Sequence, residues 1–415
     1  MELQLAKHRI EKVELAKKSR LEGKTLFVSP EEVEALVRKE TGVRLSRIAA
    51  VHPGEPVSVG PVLDVVEPRA KDDPQTSAFP GWTGPPVTAG RGRTHVLNGM
   101  ALVGVSRLAG IQEGIIDMGR EAAPYCPFAR TQNLVLVFDS AEGVDRLLPE
   151  AAIRRVLLRL AEHLAALGRK KDPDSLEAWK WPPTPCPLPR SALVYFVQSQ
   201  GEMRRTYLYG QPVDSIFPTL LDPLEVLDGG VVSGNYVLPS NKTCTYIHQN
   251  HPLILEMLRR HGSAVAFAGV ILANEASQMV DKERTAQFIE KLARLLAVCG
   301  VVINQEGGGN TVTDVMMTCR LLNRSGIKTV LLVNEFAGEN GTTPSLAETT
   351  PEATPIVSTG NNDHRIRLAA RTEFIGFSPL LGVDGDPAGE IAIPLTRVYG
   401  STNQLGFQSL SCRTR

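Results

Sequence analysis

The sequence lacks several features that would assign a protein to a class at once. Among its 415 residues, 45 are Lys or Arg and 45 are Asp or Glu, so the formal net charge is +0. There is no excess of positive charge to attract nucleic acid or an anionic membrane. No uninterrupted apolar run approaches the roughly 18 residues that a membrane-spanning helix needs. The N-terminus mixes charged and apolar residues without an apolar signal-peptide core, so we expect a cytoplasmic protein that binds neither nucleic acid nor membrane.

Paired cysteines are also missing. The six cysteines lie far apart and form no C-x-x-C pair, so they predict no disulfide framework in a chain of this length. Cys299 and Cys319 lie in apolar or helix-like runs, which predicts that both are buried as small hydrophobic side chains. Cys244 differs from these two because its neighbours are polar.

The length and the apolar periodicity predict an α/β protein of two sub-domains. A single hydrophobic core seldom grows beyond roughly 250–300 residues. The first half contains short strands broken by proline and glycine, together with helical patterns, and predicts a mixed arrangement. In the second half helices alternate with aliphatic strands, which predicts a doubly wound parallel sheet. We place the N-terminal region at 1–239 and the C-terminal α/β region at 240–415.

Two glycine-containing loops follow predicted strands of the second region. Residues 304–310 come after a strand at 301–303, and residues 335–341 come after a strand at 329–334. In open α/β sheets ligands bind beyond the carboxyl ends of the strands, where glycine lets a backbone approach closely. Neither loop matches G-x-G-x-x-G or a P-loop, so a ligand or subunit contact and a plain tight turn are both open.

The segment with the most reactive side chains is Ser233–Pro252, which reads SGNYVLPSNKTCTYIHQNHP. We predict that it is a loop. One interpretation is a zinc site at Cys244, His248 and His251, but this spacing matches no standard finger and shows no fourth ligand. We therefore predict no metal. A second interpretation is structural, with the histidines and asparagines binding the loop backbone and the thiol packed.

A third interpretation is chemistry on the backbone itself. A serine or cysteine side chain in a strained loop can attack the carbonyl of the peptide bond before it. The resulting ester or thioester eliminates and leaves a pyruvoyl group at a new N-terminus. A pyruvoyl ketone accepts an amine as a Schiff base and acts as an electron sink. Ser240 and Cys244 are both placed for this reaction.

Groups of motif residues occur in order along most of the chain, from about Val62 to about Gly360. They are Glu113–Met118 with Pro127-Phe128, Arg205–Gly210, Val232–Tyr236, Thr245-Tyr246 with His248–Asn250, Glu306–Asn310 and Ser358–Asn361. Together they resemble the component B precursor of the glycine, sarcosine and betaine reductase family, the substrate-binding subunit that splits into α and β chains.

This resemblance implies an oxidoreductase subunit that holds a small amine for reductive cleavage of its C–N bond. It implies a pyruvoyl cofactor made from a cysteine of the central loop. It also implies partners: a selenocysteine- or cysteine-containing subunit of component B, selenoprotein A, and component C, which releases the acyl fragment as acetyl phosphate. Betaine, a quaternary amine, forms no Schiff base, so the pyruvoyl role is least defined for that substrate.

The sequence departs from the family pattern at the precursor position. In the family a cysteine stands four residues after the tyrosine of SGNY and is followed by Asp-Lys. Counted from Tyr236, that position is Ser240, followed by Asn241 and Lys242, and Cys244 comes four residues later. Three possibilities stand: Ser240 is the precursor, Cys244 is the precursor, or the chain is an unprocessed binding and assembly subunit without its own cofactor. The identity of the amine is left open.

Overall fold

The computed structural model of the chain describes residues 1–86, 88–108, 114–140, 147–199, 205–234, 238–380 and 382–407. It is a mixed α/β structure, so the predicted class is confirmed. The described part contains seven α-helices: α1 (Pro30–Val37), α2 (Leu147–Ala165), α3 (Pro223–Leu227), α4 (Thr245–Gln249), α5 (Pro252–Arg260), α6 (Met279–Leu295) and α7 (Asn310–Arg324). None of these described helices is long and apolar enough to span a membrane.

The first part of the chain is rich in strands. They are β1 (Glu2–Arg9), β2 (Lys12–Leu15), β3 (Arg20–Glu22), β4 (Thr25–Val28), β5 (Val43–Val51), β6 (Val57–Gly60), β7 (Val62–Val66), β8 (Arg69–Lys71), β9 (Gly92–Asn98), β10 (Met100–Val105), β11 (Ile116–Asp117), β12 (Gln132–Ser140) and β13 (Ser175–Lys180). Two four-stranded sheets, β13-β1-β9-β8 and β5-β12-β10-β7, dominate this part. Helix α2 contributes to the hydrophobic core of this part through Val156, Leu160 and Leu164, which recur every fourth residue on one face.

The strands of the second part are β14 (Arg190–Val197), β15 (Arg205–Leu208), β16 (Gln211–Pro212), β17 (Thr219–Leu221), β18 (Val231–Gly234), β19 (Ala266–Asn274), β20 (Gly300–Asn304), β21 (Lys328–Glu335), β22 (Ile356–Asn361), β23 (Arg365–Leu368), β24 (Glu373–Gly376) and β25 (Ile391–Pro394). A six-stranded sheet has the order β17-β19-β14-β20-β21-β22. Its five strands from β19 to β22 are parallel, and β17 is an antiparallel edge strand.

Both faces of this sheet are covered, which explains its aliphatic strands. Helices α6 and α7 pack on one face through side chains such as Ile289 and Val315. Helix α5 packs on the other face through Ile254, in the same core as the first part of the chain. The chain leaves β14 toward β19 and then returns to the opposite side of β14 for β20. This reversal of strand order creates a crevice at the carboxyl ends of β14 and β20, where α/β proteins of this kind bind ligands.

The description of two separate sub-domains is not confirmed. Strand β14 precedes residue 239 but lies in the middle of the parallel sheet. Conversely, β24 pairs with β6 from the first part of the chain. Regions 1–239 and 240–415 therefore share sheets, and this division stays a prediction about the polypeptide.

The prediction for Cys319 is confirmed, whereas the prediction for Cys299 is wrong. Cys319 is buried, but Cys299 is exposed. The run before Cys299 looks apolar, yet Ala297 has a φ of 50° and turns the chain at the end of α6. The thiol of Cys299 consequently lies at the surface, where it donates to the carbonyl of Arg190 at 3.3 Å. Cys412 lies outside the described residues.

Candidate functional site

The described residues of the central segment, Ser233–Pro252, are mostly buried and include two short helices, so the prediction of a plain loop is wrong. Residues Pro239–Asn241 form a turn of 3-10 helix, and α4 and α5 follow. Every residue from Pro239 to Gln249 is buried. His251 caps α5 by accepting the N–H of Ile254 at 3.4 Å, and Pro252 occupies the first helical position, where its missing N–H costs nothing. Tyr236, from which we counted to the position of the family cysteine, lies outside the described residues.

The segment lies across the carboxyl ends of the parallel strands. The backbone N–H of Thr243 donates to Glu306 just beyond β20, at 3.1 Å. The side chain of Asn334 near the end of β21 donates to the side-chain oxygen of Asn241. Asn362, directly after β22, accepts the hydroxyl of Ser240 at 2.6 Å. The polar residues at three strand ends are thus brought together by one buried segment.

Glu306 occupies the crevice where the strand order reverses. Besides Thr243, it accepts the backbone N–H of Gln198 at the end of β14, at 2.8 Å. Its own N–H donates to Glu275 beyond β19, at 2.8 Å. Full burial raises the pKa of Glu306 to about 7, although backbone N–H groups and Lys242 act in the opposite direction. The loop at 304–310 is therefore a structural contact to the central segment.

Ser240 is fully buried, and the carbonyl of the peptide bond before it accepts two hydrogen bonds. The carbonyl oxygen of Pro239 accepts the N–H of Gly400 at 2.8 Å and the N–H of Lys242 at 3.3 Å. The carbonyl of Ser240 accepts the N–H of Thr402 at 3.1 Å. Paired backbone N–H groups on a carbonyl stabilise the oxyanion that forms when a nucleophile attacks that carbonyl. This arrangement suits an attack by Ser240 on Pro239.

Cys244 is equally buried, but its surroundings favour the neutral thiol. Burial raises the pKa of Cys244 well above its usual value, and the carboxylate of Asp64 acts in the same direction. Asp64 is fixed by the backbone N–H and the hydroxyl of Thr245, at 3.0 and 2.6 Å. The Cys244 thiol faces the backbone N–H groups at the start of α4.

The two histidines of the segment are buried and neutral. Burial lowers the pKa of His248 well below its usual value and that of His251 to about 3. One ring nitrogen of His248 is 2.5 Å from the hydroxyl of Tyr195. Within the part of the chain that the structure describes, no cluster of three or more His, Cys, Asp or Glu residues is arranged to hold a metal ion. The side chains of Cys244, His248 and His251 form no such cluster, and the helix cap by His251 fits the structural interpretation.

Several residues of this site were missed by the sequence analysis. Asn334 and Asn362, at the ends of two strands, bind the central segment. Residues of the run Ser401–Gln404, near the C-terminal end of the sequence, also contact it. Thr402 donates to Asn362 at 2.8 Å, and Asn403 donates to Thr243 at 2.9 Å. The sequence signal was weak: short runs of Ser, Thr, Asn and Gln that elsewhere form ordinary turns.

A large cavity lies beside Ser240. Its volume is about 1100 Å³. Tyr125, Glu335, His364 and Thr402 are among the residues that line it. Thr402 also contacts the side-chain oxygen of Asn362, the acceptor of the Ser240 hydroxyl. A small molecule in this cavity is therefore separated from Ser240 by a single layer of polar side chains.

The fold and the site define a mixed α/β protein that buries a polar segment across the carboxyl edge of a parallel sheet. A family model described as glycine/sarcosine/betaine reductase component B subunits matches residues 1–413. The chain belongs to this family.

Three relatives illustrate the similarity. The "Glycine reductase complex component B subunits alpha and beta" of Acetoanaerobium sticklandii is 35% identical, with 100% of both chains covered. The "Sarcosine reductase complex component B subunit alpha" of Peptoclostridium acidaminophilum is also 35% identical, with 100% of both chains covered. A more distant relative is the "D-proline reductase proprotein PrdA" of A. sticklandii, which is 23% identical and matches 75% of this chain and 51% of that protein. No solved structure matches the chain significantly.

Proposed function

We propose that this protein is the substrate-binding component B subunit of an amine reductase, and that Ser240 is the precursor of a pyruvoyl group. The observation that carries the choice of Ser240 is its peptide environment. The carbonyl of Pro239 accepts two backbone N–H groups, and the Ser240 hydroxyl is held by Asn362 at 2.6 Å. The buried neutral thiol of Cys244 is the alternative precursor.

The proposed maturation begins when the Ser240 hydroxyl oxygen adds to the carbonyl carbon of Pro239. The N–H groups of Gly400 and Lys242 stabilise the oxyanion. Its collapse breaks the C–N bond and leaves an ester, with a free amine on residue 240. Loss of the α-proton of residue 240 expels the Pro239 carboxylate and leaves a dehydroalanine. Water then converts its imine tautomer into a ketone and releases ammonia, so one water enters and one ammonia leaves.

Two further observations support division of the chain. The first is that the A. sticklandii glycine reductase relative is a single chain named as two subunits. In this protein the two products would be residues 1–239 and 240–415. The word "proprotein" in the name of the D-proline reductase relative points the same way. When present, the pyruvoyl ketone would bind an amine and withdraw electrons from it. Asn241, Asn362 and Thr402 would surround it, and the cavity of about 1100 Å³ would admit the substrate.

The proposed substrate is glycine, sarcosine or betaine, the compounds in the family description. The proposed partners are a selenocysteine- or cysteine-containing subunit, selenoprotein A and component C, which together complete the reductive C–N cleavage. We place the protein in the cytoplasm.

A second candidate is an unprocessed binding or assembly subunit without its own cofactor. It is favoured by the serine at the position of the family cysteine, because a hydroxyl is a weaker nucleophile than a thiolate. Under this hypothesis a partner would perform all of the chemistry.

Intact-mass measurement separates the two candidates. We expect cleavage between Pro239 and Ser240 to give two fragments. The second fragment should react with phenylhydrazine. Ser240→Ala should remain a single 45.0 kDa chain, whereas Cys244→Ala should be cleaved as the wild type is. If Cys244→Ala alone blocks cleavage, Cys244 is the precursor. A wild-type protein of 45.0 kDa that is inert to phenylhydrazine would establish the unprocessed subunit.

A further inference from the structure

The large cavity beside Ser240 runs along an open edge of the parallel sheet. Strand β22 is the last strand of the six-stranded sheet, and it pairs with β21 on one side and with no strand of the described residues on the other. All residues from 354 to 361 line the cavity. Successive residues of a strand point to opposite faces, so a cavity on one face of β22 would meet every second residue. Contact with every residue places the cavity along the edge of the strand.

The backbone groups of this edge are arranged to pair with another strand. Leu331 of β21 donates its N–H to the carbonyl of Pro355 at 3.0 Å. In a parallel ladder alternate residues bond to the same neighbour, so the backbone groups of Val357 also face β21, and those of Ile356 and Ser358 face away from it. Ile356 and Ser358 are half-buried. An open edge of this kind is a template for pairing with a further chain.

The cavity is larger than a small amine needs. Its volume is about 1100 Å³, whereas pockets for drug-sized molecules have volumes of about 300–1,000 Å³. The lining stretch 354–361 is roughly 25 Å long at about 3.3 Å per residue. An extended peptide segment matches this length, whereas glycine, sarcosine or betaine would occupy only one end of it.

The lining favours a basic segment over an acidic one. It includes the carboxylates of Glu335 and Glu339, and there is no lysine or arginine among the described residues that line the cavity. Leu346, Ile356 and Val357 add apolar surface. Pairing of β22 with β22 of a second copy would bring the glutamates of both copies to one interface, which like-charge repulsion disfavours. The complementary partner is therefore a different chain that carries lysine or arginine.

We propose that the open edge of β22 binds an extended basic segment of a partner protein, which adds to the sheet as a further strand. In this mode of recognition main-chain hydrogen bonds give affinity and side-chain pockets give specificity. The segment would reach Thr402, which lines the cavity and donates to Asn362, the acceptor of the Ser240 hydroxyl. The role of the segment beside residue 240 rests on the proposed function, but its pairing with β22 does not.

The test uses the full-length Ser240→Ala protein, so that maturation does not affect the measurement. The probe is a fluorescein-labelled peptide, Lys-Val-Thr-Val-Thr-Val-Lys, whose β-branched residues favour an extended conformation. Fluorescence anisotropy should show saturable binding, and the amides of 354–361 should exchange hydrogen more slowly in the complex. The same peptide with glutamate in place of lysine should bind at least about tenfold more weakly, because it meets the lining glutamates with like charge.

Ser358→Pro tests the strand pairing directly. The N–H of Ser358 faces away from β21, so proline removes a donor from the open edge and leaves the ladder with β21 intact. This variant should weaken peptide binding by about tenfold or more, because one hydrogen bond is lost and the ring obstructs the added strand. Ser358→Ala keeps the N–H and loses the hydroxyl, so this matched control should bind as the Ser240→Ala protein does.

A second variant keeps the test valid if Ser358→Pro unfolds. The double change Glu335→Gln and Glu339→Gln preserves shape and removes both charges. It should weaken binding by about tenfold and make the remaining binding less sensitive to salt. Binding that this double variant leaves unchanged would overturn the proposal.

Four other results would also overturn it. They are the absence of saturable binding, equal binding of the two peptides, normal binding by a folded Ser358→Pro protein, and a wild-type dimer that Ser358→Pro converts to a monomer in sedimentation. Cleavage at residue 240 without peptide binding would leave the proposed function standing. Peptide binding by an unprocessed wild type would leave the docking edge standing without the pyruvoyl group.

Discussion

Two buried polar regions of this molecule can be compared directly. The first region is a cluster around Lys71, which pairs with Asp228 and also donates to the carbonyl of Arg91 and the hydroxyl of Thr94, at 2.9 and 3.0 Å. Asp228 in turn accepts the N–H of Gly90 at 2.7 Å. At the carboxyl edge of the parallel sheet, by contrast, several buried polar atoms lack partners within the described structure: Asn241 Nδ2, His248 Nε2, Asn274 Oδ1, Glu275 Oε2, Asn304 Oδ1 and Gln305 Oε1.

This difference distinguishes buried polar groups that stabilise the fold from buried polar groups that are available for binding. A buried ion pair with every bond satisfied holds two parts of the chain in one arrangement. Buried polar atoms without a protein partner cost free energy in folding unless a buried water or another bound molecule supplies the missing partner. The comparison predicts that changes in the first region lower stability, whereas changes in the second region alter maturation or the pH dependence of stability.

The largest loss of stability is expected for Asp228→Asn. This change leaves the buried ammonium of Lys71 without a counter-charge, and breaking such a pair costs about 3–5 kcal/mol. Urea denaturation monitored by circular dichroism measures the change in the free energy of unfolding. Glu34→Gln, in the exposed pair with Arg38, is the matched control and should cost at most about 0.5 kcal/mol. Equal losses in the two variants would remove the distinction between the regions.

An intermediate and pH-dependent effect is expected for Glu306→Gln. The pKa of Glu306 is raised to about 7 by burial, so the folded protein binds a proton that the unfolded chain has released above its ordinary value of 4.5. Proton binding by Glu306 therefore stabilises the folded state most below pH 4.5. This contribution to the free energy of unfolding is lost as the pH rises toward 7. Relative to the variant, the wild type should lose on the order of 2 kcal/mol across this window. Chemical denaturation at pH 4.5, 6 and 7.5 measures the difference. A difference that does not vary with pH would contradict the buried neutral carboxyl.

Asn362→Ala should have a smaller effect on stability than Asp228→Asn and a large effect on maturation. The substitution removes three side-chain hydrogen bonds, with Ser240, Thr402 and Glu335, at a cost of about 0.5–1 kcal/mol each. The Ser240 hydroxyl loses the nearer of its two acceptors and keeps only Asn241 at 3.0 Å, so appearance of the 240–415 fragment should slow by about tenfold or more. Time-resolved mass spectrometry after expression follows this fragment. Asn362→Asp retains an acceptor oxygen and should be cleaved faster than Asn362→Ala. Normal cleavage of the alanine variant would exclude an orienting role for Asn362.

The smallest effect is expected for Cys299→Ser. Cys299 is exposed, so the substitution should change the free energy of unfolding by less than about 0.5 kcal/mol. The same exposure predicts that the native protein reacts with a thiol reagent at Cys299 but not at the buried Cys244 or Cys319. Peptide mapping after brief labelling identifies the modified residues. Rapid native labelling of Cys244 would show that the central segment opens.

The sequence by itself determined the local elements. The aliphatic runs predicted β20 and β21, because strands that are covered on both faces carry almost no polar residues. Serine, proline and two acids at 29–32 are a typical helix start, and Ser29 does cap α1. The ordered motifs also identified the family, and the reactive side chains identified the central segment.

Only the tertiary structure decided what these elements bring together. The Ser240 hydroxyl meets Asn362, 122 residues away, and the carbonyl before it meets Gly400 from the far end of the chain. Strand β14 lies between β19 and β20 in the sheet, although it precedes both of them in the chain. Local patterns specify the face and the period of a strand but not its neighbours, because pairing depends on which distant apolar faces can be buried together. For that reason the sequence predicted a loop where the fold has a buried, polar segment.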